Sequence, residues 1–220
     1  MNQYIKMKGI IIGAGTYGET YLDFLREVGV EIVGFLDDNP ELTGKKIRGA
    51  EVLGTTELLP SLKERYGVEA VYCPIGSNKI RVNKLETARA CGYKTPNFIH
   101  PKANIAPTVS MADEGVYIEG STNIMSYVVI ERDVLICTGG NVAHHCYLSQ
   151  GTFISMGVNF GAMISTGKFA YMGIGSTIMS GVKSIGEDAL VGAGSVVIRD
   201  VPDRAVVIGV PARILKVKED

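Results

Sequence analysis

The 220-residue chain has no excess of one charge, no basic block and no long hydrophobic run, and each absence excludes a class of protein. Its 22 basic residues nearly balance its 23 acidic ones, for a formal net charge of −1, which argues against a nucleic-acid partner. No run of about eighteen apolar residues occurs, so we expect no membrane span. Residues 1–8 are mostly polar and lead directly into a strand, which does not fit a signal peptide.

Reactive side chains are also scarce. The four cysteines, Cys73, Cys91, Cys137 and Cys146, lack metal-ligand spacing, so the sequence predicts reduced structural cysteines, a cytoplasmic location and no metal site. It contains no Ser-His-Asp signature and no Cys-His pair with a convincing nucleophile. We therefore expect any group transfer to be direct, with a histidine as general base.

An apolar residue returns at every sixth position through the second half of the chain. Neither a helix, with a period near 3.6, nor a simple strand, with a period of 2, explains this spacing. The position four residues further on is mostly small or β-branched, from Thr122 to Ser195. The repeat slips by one residue once, between Ile178 and Ile185. The sixth-position residues are Ile118, Ile124, Ile130, Ile136, Val142, Leu148, Ile154, Phe160, Thr166, Met172, Ile178, Ile185, Val191 and Val197.

A period of six is typical of a parallel β-helix, in which each hexad forms one short extended face and one corner. The aliphatic residue fills the axis, and the compact residue lies where the chain bends. Three faces make a coil of about eighteen residues, so the stretch predicts roughly five coils. We expect this domain to cover residues 101–220.

Residues 1–100 show the alternation of strands and helices that predicts a parallel α/β unit. We expect strands at 8–12, 31–36, 68–75 and 94–99, with helices at 17–28, 58–66 and 80–91. This is a half-Rossmann unit, because a complete dinucleotide fold needs two such halves. The half-sized unit favours a nucleotide or nucleotide-linked ligand over NAD and disfavours an NAD-dependent oxidoreductase.

A glycine-rich turn joins the first strand to the first helix. Gly13, Gly15 and Gly18 form the G-x-G-x-x-G spacing, which lets backbone amides approach a phosphate at a helix N-terminus. The second strand ends at Asp37 and Asp38, where a carboxylate can accept hydrogen bonds from a ribose or base. The alternative is that the glycines only permit close packing of helix on strand.

Two adjacent histidines, His144 and His145, lie in the middle of the hexad region. Alternation along an extended chain directs His144 inward and His145 outward, but a corner breaks the alternation, so which ring faces a cleft stays open. Cys146 follows at the compact position of its hexad, and we expect it in the core. The alternative to a functional role is that both histidines are solvated surface residues.

Together these features resemble the bacterial hexapeptide-repeat acetyltransferases, from residue 8 to residue 216. The resemblance rests on the hexads, on the stretch from Val142 to Cys146, on the ending from Gly209 to Arg213, and on the Gly13–Gly18 motif. The similar group contains sugar-nucleotide aminosugar N-acetyltransferases and sialic-acid O-acetyltransferases. It implies a left-handed β-helix, a homotrimer, and acetyl-CoA as co-substrate in a groove between neighbouring β-helices.

The resemblance also implies roles for individual residues. His144 would be the general base, and His145 stands where relatives usually carry an acid. Phe153 stands where relatives often carry another histidine. Acetyl-CoA would contact backbone amides around Gly157, Ala162, Ile174, Gly192 and Ala193, with its phosphates at Arg213 and Lys216, which could equally be a solvated tail. The nucleotide sugar, linked to UDP or dTDP, would contact Gly13, Gly15, Tyr17, Gly18, Asp37, Asp38, Gly76, Ser77, Asn78 and Arg81.

The function expected from this resemblance is N-acetylation of a nucleotide-linked 4-amino-4,6-dideoxy sugar in surface-glycan synthesis. Two alternatives stay open. One is O-acetylation of a sugar hydroxyl of the sialic-acid type. The other is a nucleotide-binding scaffold that has lost the chemistry, which the departures at His145 and Phe153 allow.

Overall fold

The structure is a computed structural model that describes residues 7–219. The chain forms two compact units, of which the first ends at Pro96 and the second begins at Asn97. The boundary lies a few residues before the expected one. Within residues 7–219, no helix combines the length and apolar character needed to span a membrane.

The first unit is a parallel sheet flanked by helices. The sheet order is β3-β4-β2-β1-β5, and only β3 runs antiparallel to its neighbour. Three consecutive isoleucines of β1 are fully or almost fully buried, as expected for a central parallel strand. The elements are β1 (Lys8–Ile12), α1 (Thr16–Glu27), β2 (Glu31–Leu36), β3 (Lys46–Ile47), β4 (Ala50–Gly54), α2 (Leu59–Tyr66), β5 (Ala70–Tyr72) and α3 (Asn78–Ala90), with 3₁₀ turns at Pro40–Leu42 and Thr56–Leu58.

Two details of this unit differ from the sequence prediction. The hairpin of β3 and β4 was not expected; its two-residue turn, Arg48 and Gly49, has positive φ at both positions, which suits a tight hairpin. The strand expected at 94–99 is wrong. Lys94 only bridges Ala70, while Phe98–Ile99 forms the first rung of the second unit. Pro96, which lies between them, cannot donate a hydrogen bond to a sheet.

The second unit is a parallel β-helix with three faces. The first face holds β6, β9, β12, β15, β18, β21 and β23; the second holds β7, β10, β13, β16, β19 and β22; the third holds β8, β11, β14, β17 and β20. The strands are β6 (Phe98–Ile99), β7 (Asn104–Ile105), β8 (Ser110–Met111), β9 (Tyr117–Ile118), β10 (Asn123–Ile124), β11 (Val129–Ile130), β12 (Leu135–Ile136), β13 (Asn141–Val142), β14 (Tyr147–Leu148), β15 (Phe153–Ile154), β16 (Asn159–Phe160), β17 (Ser165–Thr166), β18 (Tyr171–Met172), β19 (Thr177–Ile178), β20 (Ser184–Ile185), β21 (Leu190–Val191), β22 (Val196–Val197), β23 (Ala205–Ile208) and β24 (Arg213–Val217).

The second residue of each short strand points into the axis, which confirms the hexad interpretation. Ile118, Ile136 and Ile154 stack along the first face and are completely buried. The compact position is buried as well, as in Thr152 and Ala170. The extra residue before Ile185 is accommodated at the corner around Gly181, so β20 pairs with β17 nineteen rather than eighteen residues away.

The coil ends in a reversal of the chain. β23 continues the first face in parallel with β21, and β24 then pairs with β23 in antiparallel fashion. The connection between them contains a cis peptide bond from Val210 to Pro211. All five residues of β24 are exposed.

Candidate functional site

In the first unit, three loops meet at the carboxyl edge of the sheet. The loops follow β1, β2 and β5, which are neighbours in the sheet. The Gly13 amide donates to the Leu36 carbonyl at 2.8 Å, and a side chain on Gly13 would contact Ile75. The predicted nucleotide residues from all three loops are therefore brought together, at the edge where open α/β sheets bind ligands.

Asp37 holds the glycine loop in shape. Its Oδ2 accepts a hydrogen bond from the Ala14 amide at 2.8 Å, and its Oδ1 accepts one from the Asn39 amide at 2.9 Å. The carboxylate retains further lone pairs for a ligand. These two hydrogen bonds show that the Asp37 carboxylate stabilises the conformation of the glycine turn.

The glycines of the motif have different surroundings. Gly18 lies against β1, where a Cβ would be 1.9 Å from the Gly13 carbonyl oxygen. Gly15 precedes α1, and a Cβ there would have no atom within 4 Å. Gly18 therefore serves helix packing, whereas Gly15 leaves open space at the N-terminus of α1. Tyr17, in the first turn of this helix, is half-buried and packs edge-on against Tyr21.

Asp38 faces a different group of side chains. Its Oδ1 accepts hydrogen bonds from the hydroxyl and amide of Thr56, and its Oδ2 forms an ion pair with Lys84. The hydrogen bond from Lys84 is the main cause that lowers the pKa of Asp38 to about 2. Asp38 is thus ionised and partly neutralised by a neighbouring cation.

The loop after β5 carries Gly76 and Ser77, which are exposed, and Asn78, which is buried. Arg81 was expected to contact a diphosphate, and its position contradicts this. The side chain is fully buried, and its Nη1 donates to the Ile75 carbonyl at 2.9 Å. Its guanidinium anchors the loop from inside, and solvent does not reach it.

In the β-helix, the histidine pair lies where the second face turns into the third. We call this edge the histidine corner; it comprises residues 125–127, 143–145, 161–163 and 179–181 on successive coils. The His145 amide donates to the Ser126 carbonyl of the coil below, and the Met163 amide donates to the His144 carbonyl. These bonds fix the backbone of the pair on both sides.

The two imidazoles contact each other directly. The Nδ1 atoms of His144 and His145 are 3.0 Å apart, and the ring planes are nearly perpendicular at 89°. His144 is half-buried, whereas His145 is exposed and has a positive φ of 58°. The Tyr127 ring packs against His145 at 4.8 Å between centroids.

The surroundings of the pair supply no negative charge. Among residues 7–219 of this chain, no carboxylate oxygen lies within 4.0 Å of either imidazole. Cys146 is in the core, as predicted, and its Sγ donates to the Gly161 carbonyl at 3.1 Å. Burial raises the pKa of the Cys146 thiol, which keeps it protonated and excludes it as a nucleophile.

Ala162 lies one coil above His144 on the histidine corner. Its amide donates to Ser180 Oγ at 3.1 Å, from the following coil. The amide therefore points towards the exposed Ser180 side chain, whose hydroxyl oxygen accepts its hydrogen bond. Ser180 was not singled out from the sequence; its spacing of 18 residues from Ala162 is the signal that reveals it.

The opposite edge of the second face carries the other predicted amides. Gly157 donates its N–H to the Thr138 carbonyl, and Gly192 donates its N–H to the Val207 carbonyl. Within the described chain, the amides of Ile174 and Ala193 have no hydrogen-bond partner. Both residues are exposed and remain candidates for holding an amide-containing ligand.

Between these edges, the second face carries a pocket of about 390 Å³. Its lining includes Asn123, Asn141 and Asn159, which belong to a ladder of asparagines that begins outside the pocket at Asn104. This ladder was not predicted from the sequence, although its spacing of 18 or 19 residues was visible. Each amide nitrogen donates to the oxygen of the next asparagine at 3.0–3.3 Å, in the order Asn104, Asn123, Asn141 and Asn159. Met125, Ala143 and Ser180 complete the pocket on the side of the histidine corner.

Two further predicted positions lie away from this pocket. Phe153 is buried on the first face and stacks on Tyr171 at 4.8 Å, so it acts as a packing residue. Arg213 is exposed at the start of β24, beside a separate pocket of about 320 Å³ that Arg199 also lines. Lys216 is exposed on the same strand.

Most of the first unit matches a family model, and nearly the whole chain matches a curated relative. The model for the PglD N-terminal domain matches residues 8–88. The relative is a GDP-perosamine N-acetyltransferase of Escherichia coli O157:H7, with 30% identity over 220 residues that cover 94% of this chain and 95% of the relative.

Two solved structures resemble the chain over almost its entire length. One is a mutant of perosamine N-acetyltransferase from Caulobacter crescentus in complex with CoA and GDP-perosamine; its TM-score is 0.85, its identity is 32%, and the match covers 98% of each chain. The other is the acetyltransferase domain of PglB from Neisseria gonorrhoeae with acetyl coenzyme A, at a TM-score of 0.82 and 26% identity, covering 96% of this chain and 100% of that one. The predicted fold class, an α/β domain followed by a left-handed β-helix, is confirmed.

Proposed function

The chain belongs to the hexapeptide-repeat acetyltransferases that act on sugar nucleotides, and on this premise we propose that it transfers the acetyl group of acetyl-CoA to the amino group of a nucleotide-linked sugar. The observation that carries the proposal is the position of His144. Its half-buried imidazole lies at a corner of the β-helix, the Ala162 amide follows at the same corner one coil above, and the buried thiol of Cys146 offers no competing nucleophile.

The step is direct attack on the thioester. The amine nitrogen forms a bond to the carbonyl carbon, and the carbonyl oxygen becomes an oxyanion that backbone amides stabilise. His144 Nε2 accepts the proton that the amine loses, and the carbon–sulfur bond then breaks to release CoA as a thiolate. The Ala162 amide is the candidate oxyanion donor. Ser180 Oγ accepts from this amide at 3.1 Å, so the hydroxyl has to move aside for the carbonyl oxygen to bind there.

Acetyl-CoA is the co-substrate in this scheme, and its amide-rich arm suits the second face. The amides of Ile174 and Ala193, which have no partner in the described chain, offer hydrogen-bond donors along one edge, and the asparagine ladder lies on the second face in the earlier coils. The phosphates are assigned to Arg213 and Lys216, whose exposed cationic side chains are suited to them. We propose a homotrimer, in which this face meets a neighbouring β-helix.

The sugar nucleotide is assigned to the carboxyl edge of the first unit. The open space at Gly15 and the exposed loop of Gly76 and Ser77 suit a diphosphate near the N-terminus of a helix. The proposed sugar is a 4-amino-4,6-dideoxy hexose used in surface-glycan synthesis. The Escherichia coli relative is a GDP-perosamine N-acetyltransferase and the Caulobacter crescentus structure holds GDP-perosamine, so GDP joins UDP and dTDP as a candidate nucleotide. The cysteines have no disulfide partner, which fits the predicted cytoplasmic location.

The test is a panel of GDP-, UDP- and dTDP-linked amino sugars and their hydroxy counterparts, each incubated with acetyl-CoA and read by the mass gain of one acetyl group. We expect acetylation of an amino sugar and none of the hydroxy sugars. His144→Ala should lower turnover by about 10²–10⁴-fold if the histidine is the general base. Ser165→Ala, an exposed position on the third face, is the matched control and should leave turnover unchanged. Normal turnover by the His144 variant would reject its role.

A further inference from the structure

We propose that His145 is a positioning residue that fixes the proton of His144 on Nδ1 and so frees His144 Nε2 to act as the base. This inference rests on the proposed function, because it concerns how the base of that reaction is prepared. It starts from the contact of the two Nδ1 atoms at 3.0 Å.

A neutral imidazole carries one N–H, so only one ring of the pair can donate in this contact. If His145 donates, His144 must hold its own proton on Nε2, and this nitrogen cannot then accept a proton from the amine. If His144 donates, its Nε2 carries a lone pair. The direction of this single hydrogen bond therefore decides whether His144 can work as a base.

The surroundings favour the direction in which His144 donates. His145 is exposed, and a solvated neutral imidazole prefers its proton on Nε2, which leaves Nδ1 as an acceptor. The Tyr127 ring at 4.8 Å and the bond from the His145 amide to Ser126 hold the acceptor ring in place. The perpendicular ring planes allow a linear bond between the two nitrogens.

No carboxylate competes for this role in the described part of the chain, since residues 7–219 place no carboxylate oxygen within 4.0 Å of either ring. When His144 takes the proton of the amine, it becomes a cation that still donates to His145. A neutral acceptor stabilises this cation less than a carboxylate does. His145 thus supplies orientation and the correct tautomer without supplying negative charge.

The backbone of His145 makes a clean substitution series possible. Its φ of 58° lies in the left-handed region, which glycine adopts freely and asparagine and aspartate tolerate better than other residues. His145→Gly removes the acceptor without backbone strain. His145→Asn and His145→Asp restore an acceptor oxygen in the same conformation. Ser121→Gly is the matched control, because Ser121 has a φ of 57° at another corner.

We expect His145→Gly to lower kcat by about 10- to 100-fold, with the KM for acetyl-CoA changed by less than about twofold. The Asn and Asp variants should recover most of the rate. In the Asp variant, the acid limb of the pH–rate profile should move to higher pH, because a carboxylate stabilises the protonated base. Ser121→Gly should behave as wild type. An unchanged kcat in the Gly variant, or Asn and Asp variants as slow as Gly, would overturn the proposal.

A second measurement does not depend on the reaction. ¹⁵N NMR of the imidazole nitrogens in the intact protein, above the pH at which the rings are charged, should find His144 protonated on Nδ1 and His145 on Nε2. In His145→Gly, the signal of His144 should shift towards a mixture of tautomers. A wild-type His144 with its proton on Nε2 would overturn the proposal, even if the protein acetylates a sugar. If no sugar nucleotide in the panel is acetylated, the proposed function is rejected, but the NMR measurement still tests the tautomer of His144.

Discussion

Replacing Gly18 with alanine separates the two roles of the glycine motif. The new Cβ would lie 1.9 Å from the Gly13 carbonyl oxygen, a backbone atom that cannot rotate away. Gly13 is itself held, because its amide donates to Leu36. To reach an acceptable contact, α1 must move from β1 by at least about 1 Å, and overpacking of this kind costs about 3 kcal/mol or more.

A loss of about 3 kcal/mol corresponds to a fall in Tm of roughly 12–24 °C for a unit of this size. Gly15→Ala is the matched control. Its Cβ has no neighbour within 4 Å, and the extended backbone, with φ −79° and ψ −177°, accepts any residue. We therefore expect an unchanged or slightly raised Tm, since alanine restricts the unfolded chain.

The assay is differential scanning calorimetry of both variants, followed by titration of the folded ones with the nucleoside diphosphates. If backbone amides at Gly15 approach a phosphate, Gly15→Ala should weaken nucleotide binding by at least about tenfold, or 1.4 kcal/mol, without loss of stability. A Gly18 variant as stable as wild type would refute the packing argument. Unchanged binding by the Gly15 variant would refute the ligand argument and leave only the packing role.

Two further predictions concern charge and thiols. Lys84→Met should raise the pKa of Asp38 from about 2 towards its ordinary value of 3.8, as measured by carboxyl NMR titration. Because the pKa of Asp38 is lower in the folded state than in the unfolded state, the ion pair stabilises the protein above about pH 4, and this stabilisation is lost as the pH falls towards 2. The Lys84→Met variant should therefore lose less stability than wild type over that pH range. Identical acid unfolding curves for the two proteins would contradict this. Iodoacetamide should modify exposed Cys91 at least about tenfold faster than Cys146, because burial raises the pKa of the Cys146 thiol. Peptide mass mapping measures the two rates, and equal rates would contradict the assignment of Cys146 to the core.

The β-helix could be predicted from the sequence because a single interaction repeats in it. Each axial residue, such as Ile136 or Ile154, packs on its equivalent in the next coil, so one period is sampled many times. The first and second strands were predicted because each contains a run of apolar residues, as in the three isoleucines of β1. The hairpin of β3 and β4 was missed because β3 has only two residues and the apolar run of β4 is interrupted by Glu51.

The candidate site was predictable in its location but not in its hydrogen bonds. Which corner amides lack an intramolecular partner depends on the register between coils, which the sequence does not reveal for Gly157 and Gly192. The burial of Arg81 depends on the path of the loop before α3, which one sequence does not reveal. The contact between His144 and His145 required both the turn geometry and the ring orientations.

The antiparallel strand β24 has a consequence for how the rod ends. A repeating coil leaves its last rung with unsatisfied backbone groups, and these invite a further rung from another molecule. On the first face, β24 runs opposite to every strand beneath it and so covers the edge of β23 with a segment that breaks the repeat. The lysine and arginine that flank its apolar residues discourage stacking on its own outer edge. An architecture that could grow without limit is therefore capped on this face by an antiparallel strand that does not follow the repeat.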